Sequence, residues 1–361
     1  MSNKVIIQVA EPGSFRFKQL LWRKVKIRKS LDEICHYMEL TLPASEYGKI
    51  HKHDKVEVRV SNPYISETEE NDKKRRLTTI MVDEVTFSVD TSQKVLTVIG
   101  RSPARDIIDS AWYGWCTNQM NLETVANEIV SPFFDAIGIE KLGIDDGTRP
   151  HVTRMPTNGP ETDPVFSFSW ENESPWTKLI NEADNQGYIF TSNEAGNLYL
   201  MKADGIVRDE GFFLSEGKNI RDIQTTQNGS EQFYEYVVRA AYRESRMRDN
   251  TCKNSRKLYI NLTDPNIQQE VLDRRAKTEM LRRRENKTLV TVTGWGLSDA
   301  QINALGNTYH REIFWNPNFL IPVNIPSVGL NDRLLVSQVE YNADSSIMTS
   351  ALTLVNPEAY S

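Results

Sequence analysis

The sequence has little from which to build a catalytic or metal centre. Its three cysteines, Cys35, Cys116 and Cys252, lie far apart and form no CxxC pair, which excludes a zinc-finger site and a disulfide framework. They read as reduced thiols. The five histidines, His36, His51, His53, His151 and His310, supply no HExxH, and the expected strand face shared by His51 and His53 lacks a third ligand. No apolar run reaches the roughly 20 residues of a membrane span, and the first residues, MSNKVIIQVAEPGSF, pass from a short apolar patch straight into acidic and turn residues. This is neither signal peptide nor anchor, so a soluble chain made in the cytosol is expected, in which Asn228-Gly-Ser230 carries no glycan. Positive charge is not in excess either. With 43 Lys and Arg against 49 Asp and Glu, a net charge of -6 and a pI near 5.6, the chain is not drawn to nucleic acid or anionic membrane by its overall field.

Glycine-based motifs fail as well. Gly100-Arg-Ser-Pro-Ala104 lacks the last glycine of a GxSxG nucleophile elbow, and Gly294-Trp-Gly296 has too few glycines for a phosphate cradle. Asp145 and Asp146 lack the further oxygen ligands of a calcium loop. Paired carboxylates of a glycosidase meet only in the fold, and no residue is nominated as acid or base. The expectation is no enzyme, no cofactor and no metal.

What is present is β pattern, used twice. RLTTIMVDEVTFSVDTSQKVLTVI, Arg76 to Ile99, and RLLVSQVEYNADSSIMTSALTLV, Arg333 to Val355, each open on Arg-Leu and run into an alternating strand, through Val85 and Phe87 or Val339 and Tyr341. A polar turn follows, Val89 to Ser92 or Ala343 to Ser346, whose short side chains can bond their own backbone. A second strand then returns, Val95 to Val98 or Ala351 to Leu354. Upstream of each hairpin lies a further period-2 run, Val56 to Val60 and Leu320 to Ile325. Three strands in a row, twice, predict small antiparallel barrels.

A chain of 361 residues exceeds what one core usually serves, and 39% hydrophobic residues with 13 Phe, 13 Tyr and 7 Trp make it globular. The fold class is therefore α+β, mainly β: two similar small antiparallel β-barrel domains with an α/β middle region. Residues 1–108 form the first barrel, with strands at Val5 to Val9, Val25 to Ile27 and Tyr37 to Leu42 before the repeat. SNPYISETEENDKKRR, Ser61 to Arg76, reads as a solvated hairpin tip. Residues 109–208 are the α+β middle. There Asn121 caps a helix through Leu122, Val125, Ala126, Ile129 and Phe133, and a helix-hairpin unit occupies about 174–201, with Ser174 as cap, Pro175 first, Trp176, Leu179, Ile180 and Ala183 as its stripe and Gly187 as its stop. Residues 209–361 form the second barrel. Its strand and turn signals are weak from 210 to 226, and it includes a long basic helix at about 265–286 whose Arg274, Arg275, Arg282, Arg283 and Arg284 are interleaved with Glu270, Asp273, Glu279 and Glu285. That interleaving is the habit of a solvated face; contact with phosphates is the alternative.

The succession GRSPARDIIDSAW, NLETVANEIVSPFF, SPWTKLINEADNQGYIFTSNEAGNLYL, RRAKTEMLRRRENKTLVTVTGW, NPNFLIPVNIP and RLLVSQVEYNAD resembles the baseplate hub proteins of Mu-like contractile-tailed phages, relatives of late control protein D. The resemblance covers nearly all of the chain; the insert from Ser61 to Arg75 departs from it, since similar proteins turn quickly there. It implies a homotrimer in which two similar barrels per subunit alternate around a ring, so that a tail tube of sixfold symmetry sits on one side and a threefold cell-puncturing spike on the other. It further implies location in the virion tail baseplate and assembly in the host cytoplasm, while the charge balance and the lack of a long apolar run lead to the expectation of no nucleic-acid contact and no membrane insertion. Trp112, Trp115 and Trp315 are the interface residues chosen, as large aromatics near domain joints. The other readings are the hub portion of a type VI secretion-like spike and, from different classes, a cell-wall-degrading or nucleic-acid-binding tail component.

Overall fold

In the computed structural model the described residues are 4–11, 14, 16–61, 76–90, 94–110, 116–122, 125–126, 153–154, 165–169, 175–196, 198–201, 206–207, 212–262, 267–284, 286–297 and 314–360. The chain opens with seven strands, β1 (Lys4–Ala10), β2 (Lys18–Leu20), β3 (Lys24–Ser30), β4 (Tyr37–Pro43), β5 (Lys55–Ser61), β6 (Arg76–Val89) and β7 (Lys94–Arg101). Every second side chain is buried, as in Val25 and Ile27, Met38, Leu40 and Leu42, or Val56, Val58 and Val60, because successive residues of a strand face opposite sides. Their spatial order is β3-β4-β7-β6-β5-β1-β2, and every neighbouring pair is antiparallel.

The middle of the chain supplies α1 (Arg105–Asp109), β8 (Cys116–Asn121), β9 (Thr153–Arg154), β10 (Val165–Ser169), α2 (Pro175–Gln186), β11 (Ile189–Ser192), β12 (Leu198–Met201) and β13 (Ile206–Val207). Helix α2 starts on the predicted proline. It buries Trp176, Leu179 and Ala183 and stops where Gly187 turns to φ +74°, a left-handed conformation that glycine adopts without strain. Its Trp176 meets Phe190 of the following hairpin edge-on at 5.2 Å. Asn121, the predicted cap, ends β8 in extended backbone paired with Val165, and the helix begins at the next residue, as a cap there requires. Leu122, Val125 and Ala126 are helical and buried as expected; Ile129 and Phe133 lie outside the described residues.

The last part holds β14 (Leu214–Ser215), β15 (Ile220–Thr226), β16 (Glu235–Ala240), β17 (Arg243–Arg248), β18 (Lys257–Leu262), α3 (Gln269–Arg284), β19 (Lys287–Thr293), β20 (Phe319–Ile325), β21 (Leu330–Asp344) and β22 (Met348–Val355). Strands β17-β16-β18 form a separate small sheet, on which α3 packs Leu272 and Ala276 against Val238 and Ala240. This basic helix is somewhat shorter than the 265–286 predicted. Arg275 reaches Asp184 of α2 at 2.8 Å and Glu279 at 3.0 Å, Arg282 reaches Asp184 at 3.4 Å, and Arg283 reaches Glu279 at 3.1 Å. These guanidinium groups are engaged within the chain, which agrees with the interleaved-charge reading of the sequence.

The mainly β class and the two similar β units are as the sequence predicts, but neither unit closes on itself as a barrel. The sheet is open and continuous, β15-β19-β22-β21-β3-β4-β7-β6-β5-β1-β2, with β20 branching from β21 and pairing with β13 and β14. A single hydrophobic core runs through both halves, from Val5 to Leu354. The reason is the length of β21. Its first half takes β20 as neighbour, Leu335 facing Leu320, and its second half takes β3, Gln338 facing Ser30 through Asp344 facing Lys24.

A buried charge cluster stiffens the first unit on the face away from its core. Glu57 is fully buried, with Lys55 at 3.1 Å, Arg59 at 2.8 Å and Arg76 at 3.5 Å. Burial alone would raise its carboxyl, but Arg76, Lys55 and Arg59 outweigh it and hold the group below the ordinary glutamate range. Removing the anion takes a buried carboxylate away from three cations, two of them buried. Glu57→Gln is expected to lower unfolding stability at pH 7 by about 3–5 kcal/mol, measured by urea denaturation. A depressed carboxyl stabilises above its unfolded pKa, so the gap between variant and parent should be full above about 4.5 and shrink as pH falls toward the folded value; a gap that widens in acid contradicts this.

Candidate assembly interface

The two hairpins that match in sequence also match in register. In the first, Met81 faces Arg101 and Val82 faces Gly100; the register then slips by one residue, and Glu84 faces Ile99, Val85 Val98 and Phe87 Leu96. In the second, Leu335 faces Val355 and Val336 faces Leu354; the register slips at the same step, and Gln338 faces Thr353, Val339 Leu352 and Tyr341 Ser350. Asp83 and Ser337 are thus the extra residues of equivalent β-bulges, a feature that bends a strand and increases its twist. The match extends outward on both sides. Strand β5 pairs with the first half of β6 as β20 pairs with the first half of β21. Strands β4 and β3 lie beyond β7 in the same order as β19 and β15 beyond β22. Five strands therefore recur in one chain order and one spatial order, β3-β4-β7-β6-β5 and β15-β19-β22-β21-β20, and β16 to α3 are an insertion between two members of the second set.

Pairing fixes the equivalences residue by residue. Thr41 faces Thr97 and Thr291 faces Ala351, while Lys24 faces Thr41 and Asp222 faces Thr291. Lys24 therefore corresponds to Asp222, Val25 to Ile223 and Ile27 to Thr225.

Within the chain the units are joined by the seam between β21 and β3. On its core side Tyr341 and Ala343 face Ile27 and Val25, all buried. Tyr341 packs edge-on against Trp295 at 5.5 Å, and its hydroxyl donates to the Trp315 carbonyl. Lys29, buried at one end of the seam, sits 5.9 Å from the Tyr341 ring centroid and bonds Asn316 Oδ1 at 3.3 Å. On the outer side Lys26 Nζ meets Glu340 at 2.8 Å. Burial would raise the Glu340 carboxyl, but Lys26 and the Asn342 amide hold it below its usual range.

The corresponding edges elsewhere have no such neighbour. Among the described residues, the second half of β6, Glu84 to Val89, pairs with β7 on one edge and with no strand on the other. Strand β15 pairs with β19 and, among the described residues, with no strand on its outer edge. Phe87, the counterpart of the fully buried Tyr341, is 38% exposed, and Val89 is 59% exposed. Tyr47 stacks on Phe87 at 4.6 Å, much as Trp295 meets Tyr341, yet Tyr47 is 62% exposed.

The residues chosen from sequence fall elsewhere. Trp315 is a core side chain, 3% exposed and set edge-on to Phe212 at 4.9 Å; this corrects its choice as an interface anchor, since its own chain covers it. Trp112 and Trp115 lie outside the described residues, as does the insert from 62 to 75. His51 and His53 do not share a strand face: they sit in a turn in which the His51 amide donates to Asp54 Oδ2 at 2.7 Å and His53 takes φ +71°. Ser102 is buried and accepts from the His36 amide at 3.1 Å, and His36 is itself buried, its imidazole driven well below the ordinary range by that burial and by Lys29. Sequence reasoning passed over β15 and Tyr47. The signal available for β15 was Ile220, Ile223, Thr225 and Thr226, β-favouring residues in a polar setting.

No family model matches the chain. Among curated proteins it is similar to the baseplate hub protein gp44 of Escherichia phage Mu, 22% identical over 346 residues that cover 88% of this chain and 79% of the phage protein. Among solved structures it is similar to the 43 kDa tail protein of prophage MuSo2 from Shewanella oneidensis, with TM-score 0.75, 20% identity and 99% of each chain covered. It is likewise similar to a tail protein from Neisseria meningitidis MC58, with TM-score 0.71, 14% identity and 98% and 99% covered. The resemblance to Mu-like baseplate hub proteins read from the sequence is thus met by comparison, and the mainly β fold is that of these tail proteins.

The seam itself is testable. Tyr341→Ala removes a buried ring that holds β21, β3 and Trp295 together, and is expected to lower the unfolding free energy by about 3–5 kcal/mol in chemical denaturation; a loss below about 1 kcal/mol would show that the seam does not depend on it.

Proposed function

We propose that this chain is a structural, non-enzymatic hub of a contractile-tail baseplate in a phage or prophage, and that three copies form a ring of six near-equivalent β units joining the tail tube to the central spike. The observation that carries this reading is the five-strand unit repeated with its bulge in register. A single polypeptide that carries the same surface twice lets a threefold assembly offer that surface six times. Symmetry of this kind calls for a head-to-tail interface, because one unit of a subunit meets the other unit of the next, and closure after a fixed number of steps prevents open-ended growth. The similarity to the Mu hub protein supports the place in the baseplate. Assembly in the host cytoplasm, before the particle leaves the cell, follows from that place.

The same reading assigns the division of labour along the chain. Residues 1–108 and 209–361 carry the two ring-forming units, and residues 109–208 form the α+β middle packed beside them. No step of chemistry is assigned to the chain. Ser102, the one residue set in a partial nucleophile motif, supports the backbone of His36, and α3, the basic element, has several of its arginines engaged by acids of the same chain.

The purified protein is expected to be a trimer of about 124 kDa by light scattering at micromolar concentration, three times the 41.4 kDa chain. A particle of one chain's mass under those conditions contradicts the ring.

A further inference from the structure

The intramolecular seam states what its two bare counterparts require. Strand β21 buries Tyr341 and Ala343 only because β3 lies along its second half. Strand β6 is one residue shorter and has the same bulge and the same core-facing row, Val85, Phe87 and Val89, and no strand among the described residues lies on its matching edge. Strand β15 has the place of β3 in the second unit, and no strand among the described residues lies on its matching edge either. Unpaired backbone N–H and C=O groups along an edge, bordered by exposed apolar side chains, are a template for another strand. Within one chain the second half of β21 and β3 already meet, so the two edges left over are complementary by construction, one of each kind. A second copy supplies the match for each.

We infer that the second half of β6 in one subunit pairs antiparallel with the outer edge of β15 in the next, in the register that β21 and β3 use inside the chain. Transferring the observed pairs through the repeat sets Val89 opposite Ile223 of the next subunit, Phe87 opposite Thr225, Ser88 opposite Gln224 and Thr86 opposite Thr226. Phe87 then gains the neighbour that Tyr341 has in β3. Ile223, already partly packed on the core, takes the place that Val25 holds against Ala343.

The two seams differ on their outer faces, and the difference has a use. Inside the chain Lys26 Nζ meets Glu340 at 2.8 Å, and Arg28 and Lys24 stand in register with Glu340 and Asp344, so the cations of β3 lie along the anions of β21. Between subunits the same positions hold Thr226 and Thr86, Gln224 and Ser88, with Asp222 and Asp90 as the like-charged pair at the end. A wrong pairing, β6 of one copy with β3 of another, would set Lys26 against Ser88 and Arg28 against Thr86 and leave these cations without the anion of β21. Charge complementarity thereby reserves β3 for β21 and leaves β15 for β6.

This seam rests on the hub reading, and the experiment separates the two. Ser88→Cys and Gln224→Cys are made in separate chains, co-expressed, and oxidised after purification, with the mass of the unoxidised particle measured in parallel. Each linked dimer then joins two different chains. The expected result is a trimer that gives disulfide-linked dimers on a denaturing gel, while the pair Ser88→Cys with Asn228→Cys, four residues out of register, gives none. A trimer that yields no linked dimer, or that links equally well out of register, overturns the seam and leaves the hub reading standing. A monomer overturns both. As a second measurement, Phe87→Asp should keep the parent's far-ultraviolet circular dichroism, since the ring is exposed in the single chain, and should weaken association by roughly 30-fold or more, as loss of a central interface aromatic does. Undiminished association of a folded Phe87→Asp chain counts against the seam.

Discussion

A strand edge that carries apolar side chains must be covered, and this constraint shapes the molecule more than any single contact. Strand β21 is long enough to need two neighbours on one edge, and the chain supplies both, β20 for its first half and β3 for its second. That second pairing fuses the two β units into one sheet and one core. It also uses up the only β3 available. The equivalent stretch of β6 is left with Phe87 and Val89 in the open, and among the described residues no strand of the same polypeptide covers it. Incompleteness of this kind is what a subunit of a ring needs and what a self-sufficient domain avoids.

The insertions follow the same economy of position. Between β15 and β19 the second unit carries a small sheet and α3, which the first unit lacks. They are attached where the loop between β3 and β4 is short, at an end of the strand pair, and they reach the middle of the chain through Asp184 and its two arginines. The core residues of the repeated sheet are therefore free to stay equivalent while the periphery diverges. Gly100 and Leu354 occupy matching places, both in the strand that faces the bulge; the first leaves room because a Cβ there would stand 2.4 Å from the Met81 carbonyl oxygen. The two bulges match in step while the packing around them differs.

Much of this was legible in the sequence. The two hairpins were aligned correctly, Val85 with Val339 and Phe87 with Tyr341, because half-buried strands alternate with a period of two and a polar Asp-containing turn separates them. Asp344 does bond its own turn, accepting from the Ser346 and Ile347 amides at 2.7 and 2.9 Å. Helix α2 was legible from Pro175 and Gly187 for similar local reasons. What could not be read was set by partners distant in sequence. The continuity of the sheet depends on a pairing between residues near 27 and 341, and a strand does not announce which edge will be covered. Strand β15 escaped because only Ile220 and Ile223 are half-buried on the core and the rest of the strand is exposed in its own chain, so its alternation fades. Trp315 departs for the opposite reason: an aromatic near a domain joint looks like an anchor until its ring is seen buried in its own chain against Phe212.

The central claim is that one polypeptide holds two copies of a β unit so that three chains present six. Electron-microscope class averages of the purified protein viewed down its axis measure this most directly. Six similar lobes around a ring of three chains is the predicted image. Three lobes, or a particle with no central axis, would contradict the account.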